Sequence, residues 1–176
     1  MNIRSARPDD ADAIARVHVE TWRDAYAGIL PDRVLVNMSI SREKGGWSGT
    51  LLNRERVYIA ETENCGIVGF GSYGPQRLSN MKSEGEVYTL YVSPDFQGRG
   101  FGSNLMASMF GALARDGRKS VIVWVLRDNP SKYFYEAIGG RKIAERDERL
   151  WGESIPQIAY AWDVSKDGFT VQKPHR

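Results

Sequence analysis

Between a predicted strand, Glu86 to Val92, and a predicted helix, Gly100 to about Arg115, the chain reads Gln97-Gly98-Arg99-Gly100-Phe101-Gly102. A glycine-rich turn that opens a helix can hold a phosphate with backbone alone. The glycines let the main chain approach the ligand, and the first N–H groups of the helix point outward without partners. The plain alternative is a tight connection. A P-loop ends in Gly-Lys-Ser/Thr, and Gly102-Ser103-Asn104 has no lysine. A dinucleotide fingerprint wants glycine at its first, third and sixth positions; counted from Gly98 the sixth is Ser103, although Asp128 lies near the end of the next strand, where a ribose-binding acid belongs. A third pattern, Gln/Arg-x-x-Gly-x-Gly/Ala, is met by Gln97, Gly100 and Gly102.

That turn needs a strand before it, a helix after it and a second strand to close the unit. Ser120 to Leu126 supplies the second strand, and strand-helix-strand order implies parallel pairing through a right-handed crossover. Upstream, Asn2 to Ala6 is a short strand, and Pro8-Asp9-Asp10 starts a helix with proline in the first turn and carboxylates at the positive end of the dipole. Ala11, Ile14, Ala15, His18, Thr21, Trp22 and Ala25 recur on one helical face. Ala27 to Asp32 breaks that helix, and a second helical region runs from about Pro31 to Leu52, interrupted near Asn37 to Ser41. Val57 to Ala60 and Gly66 to Tyr73 form a hairpin around polar Glu61 to Cys65, followed by a loop over Gly74 to Gly85. Pro130 to Ile138 is a short helix, and Arg141 to Arg149 and Pro156 to Val164 are closing strands. Hairpins on both sides of a parallel pair make the expected sheet mixed. Residues 1–165 read as one domain and 166–176 as a polar tail.

Composition narrows the function. A chain of 176 residues, 41% hydrophobic and 26% charged, has the size of one globular domain. Cys65 is the only cysteine, which excludes an internal disulfide framework and a Cys-rich zinc site and points to a reducing compartment. Lys plus Arg is 24 against 22 Asp plus Glu, with the signs interleaved, so no basic stripe marks a nucleic-acid reader. No apolar run approaches the roughly 20 residues that span a bilayer, and Met1-Asn2-Ile3-Arg4 leads into strand-like sequence; the expectation is a cytosolic protein without membrane association. With only His18 and His175, a Ser-His-Asp triad or a multi-histidine metal site lacks material, and no metal is expected.

A second block, Asn129-Pro130-Ser131-Lys132-Tyr133-Phe134-Tyr135-Glu136-Ala137-Ile138-Gly139-Gly140, follows the predicted strand Ser120 to Leu126. With the glycine turn at the right separation from it, the chain resembles the GNAT superfamily of N-acetyltransferases, whose acetyl-CoA pyrophosphate loop has the Gln/Arg-x-x-Gly-x-Gly/Ala pattern after the fourth strand. The element order agrees over about residues 2–164. His18-Val19-Glu20-Thr21-Trp22 through Leu30-Pro31-Asp32 is similar to a subset of bacterial members of largely unassigned acceptor. Gly140 departs from the pattern, since many members carry Phe there. The fold implied is an α/β (mixed α+β) domain with a mixed, mostly antiparallel sheet of about seven strands containing a splayed parallel pair, flanked by about four helices.

The resemblance implies roles. Acetyl-CoA is the co-substrate. Backbone groups of Leu90, Tyr91 and Val92, freed by a bulge in the fourth strand, would bond its pantetheine arm. The amides of Gly98, Arg99, Gly100, Phe101, Gly102 and Ser103 would take the pyrophosphate with Gln97 at the head of the turn, and the Arg99 side chain would add charge or face solvent. Asn129 would bond the cofactor arm or serve as a turn or cap residue. Glu86 is the candidate general base, or else an exposed strand-start carboxylate. Tyr135 is the candidate donor to the departing thiolate, or a packed helix tyrosine. Trp22 and Tyr26, four apart on the first helix, border the acceptor cleft or fill the core, and His18 on the same face is a core histidine or a polar acceptor contact. Cys65 has no basic neighbour in sequence and is expected to be inert. The expected partner is a small-molecule or peptide amine, and a homodimer is compatible with the sequence. The alternatives are a catalytically silent acyl-CoA sensor, which would need neither Glu86 nor Tyr135, and a nicotinamide-binding oxidoreductase.

Overall fold

The strands of the computed structural model, which describes residues 1–78 and 82–164, are β1 (Asn2–Ser5), β2 (Arg56–Thr62), β3 (Gly66–Pro75), β4 (Gly85–Val92), β5 (Ser120–Leu126), β6 (Arg141–Leu150) and β7 (Glu153–Asp163). They form one mixed sheet in the order β1-β2-β3-β4-β5-β7-β6. The helices are α1 (Ala11–Ala25), α2 (Asp32–Val36), α3 (Ile40–Leu52), α4 (Phe101–Arg115) and α5 (Ser131–Ala137), with single 3₁₀ turns at Pro8–Asp10 and Pro94–Phe96. The expected parallel pair is present, with Gly85, Glu86 and Val87 beside Val121, Ile122 and Val123. The tail expected at 166–176, with His175, lies outside the described residues.

The chain divides into two compact units made of separate segments. The first holds Met1–Tyr73 and Thr89–Met109. Its core joins Ala11, Ile14, Ala15 and Val17 of α1 to Trp47 and Leu51 of α3 and to Val57, Ile59 and Phe70 of the sheet, so the apolar face read from the sequence of α1 is the buried face. The break between α2 and α3 ends at Ser39, whose hydroxyl caps α3 by accepting from the Arg42 N–H at 3.2 Å.

The second unit holds Gly74–Tyr88 and the chain from Phe110 onward. Here β7 begins at Glu153, three positions before the expected Pro156. Trp151 (φ 51°) and Gly152 (φ 84°) make a two-residue turn with both residues left-handed, which places Leu150 opposite Glu153 and extends the hairpin. Pro156 is tolerated inside the strand because β5 pairs with β7 only as far as Gln157, so the missing N–H costs no ladder bond on that side. Its carbonyl still accepts from Arg127 at 2.9 Å.

Gly140 also finds its reason here. A β-carbon at residue 140 would stand 2.6 Å from Cζ2 of Trp162 and 2.7 Å from the Tyr135 carbonyl oxygen. The indole is fixed from its other end, where Nε1–H donates to the Ile138 carbonyl at 3.1 Å. A Phe at residue 140 would need the space that Trp162 holds. Gly140→Ala is expected to cost about 1–3 kcal/mol through overpacking. Gly45→Ala in α3, where nothing lies within 4 Å, should instead gain about 0.5–1 kcal/mol. Urea denaturation of the two variants checks both signs.

Candidate active site

In the first unit the glycine turn is held at both ends. The Ser93 N–H donates to the Val68 carbonyl at 2.9 Å, the 3₁₀ turn at Pro94–Phe96 redirects the chain, and the Gln97 side-chain amide donates to the Val92 carbonyl at 3.0 Å. Gln97 thus braces the turn with its side chain. Gly98 and Gly100 have φ of 70° and 85°, a region in which any other residue type is strained. The first helical bond of α4 runs from the Asn104 N–H to the Gly100 carbonyl at 3.1 Å, so the amides of Phe101, Gly102 and Ser103 precede it. A β-carbon at Gly98 would meet nothing within 4 Å, and one at Gly100 only the Asn104 amide. The backbone at these two positions is therefore uncrowded by the rest of the protein. The Phe101 side chain is buried and edge-on to Phe96, which leaves its amide as the group available to a ligand. Arg99 is exposed, with its guanidinium 5.3 Å from the Phe96 ring centre.

Leu90 and Tyr91 are half-buried and Val92 is buried. Tyr91 stacks on His18 at 5.4 Å and 12°, Trp22 stands edge-on to His18 at 5.3 Å, and Tyr26 edge-on to Trp22 at 5.0 Å. Two residues of α3 that sequence reasoning passed over complete this cluster. The Trp47 indole N–H donates to His18 Nδ1 at 3.1 Å, and Glu43 Oε2 lies 3.2 Å from the same nitrogen. Their separation of four places them on one helical face, the signal that could have paired them. A nitrogen that accepts from indole carries no hydrogen, so the neutral imidazole holds its proton on Nε2. Burial pushes the His18 pKa down from 6.5 to about 4. Glu43 favours the imidazolium, and desolvation outweighs it.

In the second unit Glu86 is 2% exposed. The expectation of an exposed carboxylate as its plain alternative is therefore corrected: Gly85, Glu86 and Val87 pair with β5 in the sheet interior. Glu86 Oε2 accepts from the Arg77 backbone N–H at 3.0 Å, and Oε1 accepts from Arg77 Nη2 at 2.6 Å and Nε at 3.3 Å. Three of about four acceptor sites on the carboxylate are thus taken by one residue. Arg77 lies in the segment read as a loop, where no periodicity could mark it. The guanidinium lies 4.1 Å from the centre of the Tyr88 ring.

Asn129 is buried, and its Oδ1 accepts from the Ser131 N–H at 2.8 Å, a turn that starts α5. That commits the oxygen locally and leaves the Nδ2 donors for another partner. Tyr135 is 6% exposed where Tyr133 on the same helix is 63% exposed. Its ring packs against Phe134, Tyr160 and Trp162. Tyr160 donates to Glu136 Oε1 at 2.6 Å, and burial together with that bond pushes its hydroxyl up to about 12. Cys65 is exposed in the β2–β3 turn. Among the described residues no group of three or more His, Cys, Asp or Glu is arranged to hold a metal, and no helix is long and apolar enough to cross a membrane.

Known proteins resemble this chain in sequence and in fold. A family profile described as FR47-like protein matches residues 76–151. The chain is 31% identical over 162 residues to the uncharacterized N-acetyltransferase YuaI of Bacillus subtilis, covering 92% of each. Among solved structures, a GCN5-related N-acetyltransferase from Rhodopseudomonas palustris superposes with a TM-score of 0.71 at 20% identity, over 92% of this chain and 94% of that one. YncA, a putative acetyltransferase from Salmonella typhimurium solved with its cofactor acetyl-CoA, superposes with a TM-score of 0.68 at 19% identity, over 96% of each chain. At those identities the structures share the fold.

The His18 environment makes stability depend on pH. Its folded pKa is depressed, so below about 6.5 the unfolded chain binds a proton that the folded chain refuses, and stability falls as pH drops from about 6.5 towards about 4. Between pH 7 and pH 5 the unfolding free energy is expected to fall by about 2 kcal/mol more in the wild type than in His18→Gln, which keeps an acceptor for Trp47 and does not titrate. Urea titrations of both proteins at the two pH values measure the difference.

Proposed function

Because the chain belongs to the GNAT family of N-acetyltransferases, as its likeness to the Bacillus subtilis relative establishes, we propose that it transfers the acetyl group of acetyl-CoA directly to a primary amine. The amine lone pair attacks the thioester carbonyl, the C–N bond forms as the C–S bond breaks, the nitrogen sheds a proton and the thiolate takes one. The observation that carries this reading is the turn from Gln97 to Ser103, with two left-handed glycines, uncrowded backbone at both and amides ahead of the first helical bond. The pyrophosphate would lie on the amides of Gly98 to Ser103, with Arg99 adding positive charge. Backbone groups of Leu90, Tyr91 and Val92 and the Nδ2 of Asn129 would bond the pantetheine arm. The Salmonella protein's acetyl-CoA supports this assignment by analogy of fold.

Tyr135 would protonate the leaving thiolate, and Trp22 and Tyr26 would border the acceptor. Glu86, expected as the base, is buried under Arg77, so we assign the proton's first acceptor to water. Direct transfer fits the position of Cys65, exposed at a hairpin turn, with its N–H on the Thr62 hydroxyl at 3.1 Å. We read residues 1–165 as one catalytic domain.

Two variants test the reading. Gly100→Val puts a branched side chain at φ 85° on the ligand face of the turn, and is expected to abolish the heat of acetyl-CoA binding in calorimetry while circular dichroism stays native. Undiminished affinity would reject the loop as the cofactor site. Thermal shift with acetyl-CoA against NADH separates this reading from the oxidoreductase one. Tyr135→Phe removes one hydroxyl and almost no volume. Turnover should fall about 10- to 100-fold with acetyl-CoA affinity unchanged, the lower range for a general acid because a thiol of pKa near 8.5 leaves tolerably unaided. A silent sensor would show no turnover in either protein.

A further inference from the structure

We propose that Arg77 is a carboxylate receptor for the acceptor, so that the amine this enzyme acetylates carries a carboxylate, and that Glu86 is the positioning residue that aims Arg77. The proposal rests on the acetyl-transfer reading for the amine, and on the geometry of the second unit alone for the carboxylate.

Glu86 is 2% exposed while the Arg77 side chain is 60% exposed. A carboxylate buried that deeply needs a partner. Arg77 supplies its backbone N–H to one oxygen and its Nε–Nη2 edge to the other. The guanidinium is also held on its face, with Cζ 4.1 Å from the centre of the Tyr88 ring. That ring is itself fixed, because the Tyr88 hydroxyl donates to the Pro75 carbonyl at 2.6 Å. Gly74 makes room for it, since a β-carbon at residue 74 would stand 2.5 Å from the Tyr88 hydroxyl oxygen.

A long cation is thus fixed along one edge and one face. A guanidinium has five N–H donors. Nε–H and one hydrogen of Nη2 go to Glu86, and the two on Nη1 with the second on Nη2 have no protein partner among the described residues. Those donors form a planar fork that matches the two oxygens of a carboxylate. A structural ion pair would need only the inner edge; holding the outer edge rigid and exposed is what a receptor needs. Because Glu86 already neutralises the charge, a stray anion gains little, and the fork rewards an oxyanion that arrives on a ligand bound by other contacts as well.

The test pairs acceptors with and without the carboxylate: α-, β- and γ-amino acids against their own amides, assayed by CoA release at saturating acetyl-CoA, with each rate referred to that acceptor's free-amine fraction because amidation lowers the amine pKa. In the wild type the best acid should exceed its amide about 10- to 100-fold in kcat/KM, mostly through KM. Arg77→Ala should erase that preference by lowering kcat/KM for the acid far more than for the amide, and Arg77→Lys should keep part of it. Acetyl-CoA affinity by calorimetry should be the same in all three proteins. Equal rates for acid and amide in the wild type, or an equal loss for both in Arg77→Ala, would overturn the proposal and make the pair structural. A second readout needs no turnover: the Arg77 Nε–H resonance, assigned by its loss in Arg77→Lys, should move on titration with the amino acids and stay still with the amides. If it is still with both, the receptor role fails. If acetyl-CoA itself gives no heat, the acetyl-transfer reading fails, and the resonance still judges Arg77.

Discussion

The position of the glycine turn depends on what β3 lacks. At Gly69 a β-carbon would stand 3.0 Å from the Tyr91 carbonyl oxygen and 3.4 Å from Leu105, and at Gly71 it would stand 2.7 Å from Met109 Cε and 3.1 Å from the Thr89 carbonyl oxygen. Met109 could swing aside; the carbonyls could not. Within the first unit the end of β4 therefore meets β3 at backbone distance, side chains of α4 lie against the same two positions, and the turn between β4 and α4 is strung between two buried residues, Val92 and Phe101. Ser93 on Val68 and Gln97 on Val92 close the remaining freedom. Backbone amides hold an anion well only if they do not have to be gathered on binding, and on the proposed reading the fixed ends of this turn meet that requirement.

Two buried ionisable side chains are handled in opposite ways. His18 stays neutral, because aromatic rings surround it and an indole N–H occupies its Nδ1. Glu86 has a guanidinium and a backbone N–H across both oxygens. The partners differ in kind: His18 meets a neutral indole donor, Glu86 a guanidinium. Removing one member of a buried pair costs about 3–5 kcal/mol when both are buried. Arg77 is mostly in water, so the pair falls below that range for Arg77's own desolvation, while the cost of removing it is set by Glu86, which would be left buried without its cation.

The element order was legible almost throughout because it rests on local signals: the apolar stripe of α1, the turn residues around Cys65, and the β-branched run Ser120 to Leu126. The glycine turn was legible for the same reason, since its φ values and its helix start are properties of six consecutive residues. What stayed hidden is what needs tertiary contact. Trp151 in a left-handed turn has no sequence signal, as only Gly152 advertises the turn, so β7 reads as starting at Pro156. Arg77 and Glu86 are nine residues apart across a polar loop, and nothing local says which of several charged residues there will meet a buried strand position. The partners of His18 come from α3, about one turn apart there but far from residue 18 in sequence.

The same two burials bear on how an acceptor loses its proton. Glu86 has both oxygens engaged by Arg77 and His18 has Nδ1 engaged by Trp47, so neither is placed to take the amine's proton directly. On the acetyl-transfer reading, the reactive species is then the fraction of amine already free. For a lysine-like amine with pKa about 10.4 that fraction at pH 7 is below one part in a thousand, while for an α-amino group on a chain, with pKa about 8, it is near one in ten. A site that spends its charges on orientation gains most from acceptors of the second kind. The lack of a dedicated base thus leads away from a lone, fully protonated lysine, and because a nearby carboxylate favours the ammonium form, the carboxylate argued for Arg77 works against that gain the closer it stands to the amine.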